Sequence, residues 1–251
     1  MQIRPLILSG AFTAIITTTA ITIFSPGLRA TFLIESDRQN HKTFVAKDIQ
    51  SLFATPTSLG ALAIGAAEGN YSRNGTKNQI YYGHEDPADY VLNRGFCSDR
   101  GRGLAFLQRI NPKRKKFSLR ETTQAADAQC LKYIRADLQK IITNFQNVGL
   151  DPTRNIEAVI NAADLRNQAN PKVHQRFVVR YAEALKRKDI KNKISWARTM
   201  AFYTRRWTST GLIRICDREK RGLSNFDCTY YDQNRRATEI YYVLKRWKQT
   251  N

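Results

Sequence analysis

The sequence is poor in cysteine, in acidic residues and in long uncharged runs, and each shortage excludes a class of protein. Four Cys in 251 residues are too few for a small domain held together mainly by disulfides. A single long uncharged run excludes a protein with several transmembrane helices. The remaining composition, 42% hydrophobic and 10% aromatic, is that of a globular protein and excludes collagen, fibrous repeats and general disorder.

The uncharged run covers residues 5–28, between Arg4 and Arg29. A basic start, an apolar middle and a Ser-Pro-Gly sequence before Ala30 predict a secretory signal peptide over residues 1–30. Leu28 is bulkier than the usual residue at such a cleavage site, so an uncleaved membrane anchor through residues 5–28 stays open. Both interpretations place the rest of the chain in the periplasm, in the cell envelope or outside the cell.

Positive charge dominates the chain, with 41 Lys and Arg against 21 Asp and Glu and a net charge of +20. Residues 1–30 hold two Arg and no acidic residue, so removing them leaves +18. A surplus of this size favours polyanionic partners. For an exported protein we expect peptidoglycan or another anionic wall polymer, or anionic lipid headgroups, and no nucleic acid.

The four cysteines allow three pairings in an oxidising compartment. We expect Cys216–Cys228, which closes a short loop, and by elimination Cys97–Cys130; four unpaired buried thiols are the alternative. The three His lie on separate segments without zinc-type spacing, and no two Cys are two residues apart, so we predict no metal site. No Walker-type phosphate loop is found, and we predict no cofactor.

The pattern of the remaining residues predicts a mainly α fold with at most one small β-hairpin. We expect a linker over residues 31–54 and a helical domain over residues 55–251. A capping box, Ser118 to Glu121, predicts the start of a long amphipathic helix. A short strand is expected at Gln79–Tyr82, after an Asn-Gly turn. Other helices are expected from Pro56-Thr57-Ser58 to Glu68, from Asp151-Pro152, from Pro171, and over residues 194–207 and 233–248.

Glu68 is the residue most suggestive of chemistry. It is the only charged residue in the otherwise apolar stretch 58–70, and it lies in the last turn of the predicted helix, before Gly69. Burial and the negative end of the helix dipole both disfavour an ionised carboxylate. A carboxyl that resists ionisation is suited to be the general acid of glycoside cleavage. The plainer alternative is that Glu68 points into solvent or pairs with an Arg.

Residues Ala61–Asn70 resemble the catalytic helix of lysozyme-like enzymes, closest to phage-type endolysin transglycosylases. Two further blocks, Tyr82–Pro87 and Asn161–Gln168, are similar to segments of exported bacterial proteins that share this helix. The resemblance covers these three short blocks only. It implies a lysozyme-like α+β fold and a muramidase or lytic transglycosylase that acts on peptidoglycan.

The resemblance also implies roles for particular residues. Glu68 would protonate the glycosidic oxygen and then act as a base. A transglycosylase takes a proton from the sugar's own 6-hydroxyl and needs no second carboxylate, whereas a hydrolase needs a partner, for which Asp86, Asp89 and Asp164 are candidates. The residues expected to bind substrate are Tyr81, Tyr82, His84, Asp86, Asn167 and Gln168. For the two Tyr, packing on the core is an equal alternative; for His84, a turn with a helix cap is the more common role.

Overall fold

The structure is a computed structural model that describes residues 46–86, 90–169, 171–202 and 224–250. In these ranges the chain forms nine helices and one two-stranded hairpin, which confirms the predicted mainly α fold. The helices are α1 (Ala46–Ser51), α2 (Leu59–Glu68), α3 (Gln79–Tyr82), α4 (Arg102–Ile110), α5 (Leu119–Asn147), α6 (Ile156–Gln168), α7 (Pro171–Lys186), α8 (Lys193–Ala201) and α9 (Asn225–Thr250). The antiparallel strands are β1 (His84–Glu85) and β2 (Leu92–Asn93), with His84 opposite Asn93.

Helix α2 is the buried helix that the sequence predicts, ending at Glu68. Gly69 ends it in the left-handed conformation, with φ of 81°. Its glycines allow close packing, because a Cβ on Gly65 would lie 2.4 Å from the Tyr71 ring. Ser58 precedes α2 without capping it through its side chain, and the N–H groups of Gly60 and Ala61 donate to the Leu52 carbonyl instead.

The domain begins earlier than the sequence suggests. The compact unit that contains all described residues starts at Thr43. Ile49, Leu52 and Phe53, inside the expected linker 31–54, are buried in the core. Arg135 of α5 fixes this segment by donating to the Phe53 carbonyl at 2.7 Å. The predicted signal peptide or anchor lies outside the described residues, and none of the described helices is long and apolar enough to cross a membrane.

The segment before α5 differs most from expectation. Gln79–Tyr82 is a short helix and not the predicted strand, because tertiary contacts of Tyr81 outweigh local β-propensity. The predicted Asn-Gly turn does close a single bridge, between Tyr71 and Lys77. Helix α4 was not predicted; its Gly103 allows contact with α5, since a Cβ there would lie 2.4 Å from the Ala126 nitrogen.

Helix α5 carries the predicted capping box and the predicted apolar stripe. The Ser118 and Glu121 side chains cap each other's backbone N–H groups. The predicted Cys97–Cys130 disulfide joins α5 to the loop before α4. Cys228 is also disulfide-bonded, and its predicted partner, Cys216, lies outside the described residues.

Helix α6 begins four residues later than the expected start at Pro152. The Asp151 side chain accepts hydrogen bonds from the N–H and the hydroxyl of Thr153, at 2.8 and 2.7 Å, and so forms a turn. Asn155 then precedes the first helical residue, Ile156. From there α6 enters the core, where α9 packs against α2, α6 and α8. The C-terminal half of α6 therefore faces the end of α2.

His174 of α7 makes the stability of the fold dependent on pH. Its ring is fully buried, and neither nitrogen has a hydrogen-bond partner among the described residues. Burial lowers the pKa of His174 from 6.5 to about 4; Arg166 and Lys140 act in the same direction, and Asp137 opposes them. Below pH 6.5 the unfolded chain binds a proton that the folded chain does not, so acidification favours unfolding.

We expect the free energy of unfolding to fall by about 2 kcal/mol through His174 between pH 6.5 and pH 4. Urea unfolding at both pH values, on the wild type and on His174→Leu, measures this. His174→Leu should reduce the difference in the free energy of unfolding between the two pH values. Any effect of the substitution on packing is the same at both pH values and cancels in this difference. If wild type and His174→Leu lose the same free energy of unfolding between the two pH values, groups other than His174 cause the dependence on pH.

Candidate active site

Glu68 lies where three helices meet, at the carboxyl end of α2 and against α6 and α9. Its side chain is 14% exposed, so it is neither free in solvent nor sealed in the core. The turn after α2 fixes the backbone on either side of it. The Gly69 N–H donates to the Ala66 carbonyl and the Tyr71 N–H to the Gly65 carbonyl. The carboxyl group is therefore held at an accessible edge of the helical core.

Two side chains hold the Glu68 carboxylate. The Arg236 guanidinium of α9 donates to Oε1 at 2.6 Å and to Oε2 at 3.2 Å, a bidentate pair. Asn167 of α6 donates from Nδ2 to Oε1 at 2.9 Å. This is the ion pair that the sequence left open as the alternative for Glu68.

Behind Glu68 lies a fully buried set of charges. Asp164 accepts hydrogen bonds from Arg236 at 2.6 and 3.0 Å and from Arg198 of α8 at 2.6 Å. Arg198 also donates to Gln233 at 2.9 Å and to Asn161 at 2.8 Å. The chain of contacts thus runs from Glu68 through Arg236 and Asp164 to Arg198, with two charges of each sign. We call these four residues the charge chain.

Asp164 and Arg236 stabilise each other's charged forms. Burial alone would oppose ionisation of Asp164, but Arg236 and Arg198 hold its pKa below the ordinary value. Burial also disfavours the charged form of Arg236, yet Asp164 and Glu68 raise its pKa well above the ordinary value. Arg236 therefore stays a cation, and it shares one nitrogen, Nη2, between Glu68 and Asp164.

Asn167 connects Glu68 to the disulfide-bonded loop. Its Nδ2 also donates to the Cys97 carbonyl at 2.6 Å, so the Cys97–Cys130 disulfide supports the position of this side chain. Its Oδ1 is buried and has no hydrogen-bond partner within the described part of the chain. Buried amide oxygens are usually paired. Asn167 Oδ1 is therefore an unsatisfied acceptor close to the Glu68 carboxylate.

Gln168, the other predicted amide, lies in the same region but does not contact Glu68. Its Nε2 donates to Asp232 at 3.1 Å, and its Oε1 accepts from Gln233 at 3.1 Å. Arg100, in the loop after the disulfide, donates to its backbone carbonyl at 3.3 Å. Gln168 therefore joins α6 to α9 beside the charge chain.

The predicted aromatic and hairpin residues form a separate group. Tyr81 is 2% exposed and donates to Asp127 at 2.7 Å, so it packs in the core and does not line a sugar cleft. Tyr82 is exposed and lies edge-on against Tyr81. His84 Nδ1 lies 2.9 Å from the Ile80 carbonyl, as in the turn alternative, and the Asp86 N–H donates to the carbonyl of Val91, the residue before β2, at 3.0 Å. Of the predicted site residues, Asn167 alone bonds to Glu68.

Sequence reasoning missed Arg198, Gln233 and Arg236, and it placed Asp164 only as a possible second carboxylate. The structure makes Asp164 a fully buried counter-ion instead. Asp89, another candidate second carboxylate, lies outside the described residues. One signal was available: Arg235-Arg236 lies inside the predicted helix 233–248, where an inward-facing Arg demands a buried acidic partner.

In the described ranges, no group of three or more His, Cys, Asp or Glu side chains is arranged to hold a metal ion. No protein-family model, no curated protein and no solved structure matches the chain. The lysozyme-like resemblance therefore stays a prediction, and the function has to be argued from the charge chain and its surroundings.

Proposed function

We propose that this protein is an exported enzyme that cleaves the glycan strands of peptidoglycan, with Glu68 as general acid and then base. The observation that carries the proposal is the position of Glu68 as the only partly exposed end of the charge chain. Buried ion pairs add little to stability compared with apolar packing, so a chain of them that ends at an accessible carboxylate is better explained by chemistry.

The charge chain suits a carboxyl that must exist in two protonation states. As acid, Glu68 gives its proton to the glycosidic oxygen, and Arg236 stabilises the carboxylate that remains. As base, this carboxylate takes a proton from the substrate. Arg236 divides its Nη2 hydrogen bonding between Glu68 and Asp164, which limits its hold on Glu68. Asn167 orients the carboxylate in both steps.

Among the two outcomes, lytic transglycosylase and muramidase, the charge chain favours the transglycosylase. Asp164 shares Arg236 with Glu68 but is fully enclosed and saturated by two guanidinium groups. It therefore cannot reach a sugar as nucleophile or activate a water. A single accessible carboxylate is sufficient when the base removes the proton of the sugar's 6-hydroxyl, which then closes the anhydro ring.

The test is digestion of purified sacculi by the full chain in water labelled with a heavy isotope of oxygen. The soluble muropeptides are identified by mass. A transglycosylase releases anhydro products that are one water lighter than hydrolytic products and carry no heavy oxygen. A muramidase incorporates the heavy oxygen. Release of neither product over a range of pH would overturn the proposal of glycan cleavage.

The second candidate is a non-catalytic basic protein that binds the wall. The observation in its favour is that Glu68 is fully engaged by Arg236 and Asn167, as a purely structural ion pair would be. It predicts salt-sensitive binding to sacculi, unchanged in Glu68→Gln, without release of any muropeptide.

A further inference from the structure

A groove lined by three arginines runs beside the carboxyl end of α2. Its volume is about 570 Å³, and its walls are the loop after Gly69 and one face of α9. Arg73 comes from the loop, and Arg235 and Arg246 from α9; Glu239 is the only acidic residue in the lining. We call this pocket the basic groove. It carries a net charge of +2 and has a size typical of small-ligand sites.

The arginines of the basic groove differ in how they are held. Arg73 makes a bidentate pair with Glu239, both distances being 2.7 Å, and lies 4.0 Å above the Tyr242 ring. Arg235 donates to the Ala67 carbonyl at 3.0 Å and to Asp232 at 3.1 Å. Arg246 makes no side-chain hydrogen bond or ion pair within the described part of the chain. It is therefore the cation most available to a ligand.

The residues of α9 that lie at the basic groove share one face of the helix. Arg235, Glu239, Tyr242 and Arg246 are separated by four, three and four residues, which places them on one side of the helix. Arg236, the next residue after Arg235, points inward to Glu68 instead. Helix α9 thus supplies the partner of Glu68 on one face and the basic groove on the adjacent face.

The groove and the candidate catalytic group share the end of α2. Ala66 and Gly69 line the groove, and Arg235 binds the carbonyl of Ala67, the residue before Glu68. A ligand whose reacting bond lies at Glu68 can therefore place a neighbouring substituent in the groove. The arginines select a substituent that carries negative charge.

We propose that the basic groove binds carboxylates of the peptide stem attached to the glycan, so that the substrate is peptide-bearing peptidoglycan. The identity of the ligand rests on the proposed function, since free phosphate or a phosphate-bearing wall polymer offers similar anionic oxygens. Arg246 binds the stem carboxylate directly, while Arg73 and Arg235, already oriented by Glu239 and Asp232, form the polar wall.

The experiment compares Arg246→Gln with Lys245→Gln in the full chain. The two variants lose the same charge at neighbouring exposed positions of α9, but residue 245 does not line the groove. Binding of purified disaccharide-peptide fragments is measured by calorimetry, with the same fragments bearing amidated carboxylates as second ligand and inorganic phosphate as third.

We expect Arg246→Gln to weaken binding of the carboxylate fragments about threefold to tenfold, while leaving the amidated fragments unaffected. Lys245→Gln should bind both as the wild type does. Three outcomes would each overturn the assignment: equal weakening by both variants, equal affinity of the wild type for carboxylate and amidated fragments, or binding of phosphate that is stronger than binding of the fragments.

The outcome is separable from that of glycan cleavage. If binding depends on Arg246 but the protein releases no muropeptide, the proposed ligand site in the basic groove is supported and the proposal of glycan cleavage is overturned. If the protein releases muropeptides and Arg246→Gln has no effect on KM, the proposed ligand site in the basic groove is overturned and the proposal of glycan cleavage is not affected.

Discussion

Glu68→Gln is expected to lower the rate of muropeptide release from sacculi by about 10²–10⁴-fold, the usual loss when a general acid/base is removed. The amide keeps the shape of the side chain and can still accept from Arg236 or Asn167. It can neither deliver a proton to the glycosidic oxygen nor take one from the sugar. The measurement is the initial rate of soluble muropeptide formation, at several pH values.

Glu183→Gln provides the control for this substitution. Glu183 pairs with Arg180 at 2.8 Å on the exposed face of α7, and it belongs neither to the charge chain nor to the lining of the basic groove. An exposed pair of this kind is worth little. Its removal should leave the release rate unchanged. Equal rates for wild type and Glu68→Gln, with both proteins folded, would exclude Glu68 as the catalytic group and favour the wall-binding alternative.

The part of the site that the sequence predicts is the part encoded locally. The apolar run of α2, the charge at its end and the glycine after it lie within eleven residues, Leu59–Gly69, so Glu68 can be placed at a helix terminus by pattern alone. The capping box of α5 is local in the same sense, because Ser118 and Glu121 satisfy each other's backbone.

The part that the sequence does not predict depends on distant partners. Arg236 meets Asp164 across 72 positions and Glu68 across 168, and no spacing rule connects them. The same reason explains the error at Gln79–Tyr82. The two adjacent Tyr favour a strand, but the hydrogen bond from Tyr81 to Asp127, 46 residues away, is formed from a helical turn.

The charge chain also has a consequence for stability, and Asp164→Ala tests it. The substitution leaves Arg198 as a buried cation without its counter-ion. Arg236 loses one of its two acidic partners and keeps the other, Glu68. Removing one partner of a buried pair typically lowers the free energy of unfolding by about 3–5 kcal/mol. We expect a loss of that size for Asp164→Ala in urea unfolding at neutral pH.

Asp189→Ala is the matched control, since Asp189 pairs with Arg187 at an exposed position of the chain and its loss should leave the free energy of unfolding nearly unchanged. The double variant Asp164→Ala, Arg198→Met separates charge from packing. Because it removes the stranded cation with its partner, we expect it to be more stable than Asp164→Ala alone. If the double variant instead loses as much stability as the single variants Asp164→Ala and Arg198→Met lose when added together, the two charges do not compensate each other. Arg236, which holds Glu68 together with Asn167, would then lack the buried support that the catalytic role assigns to it.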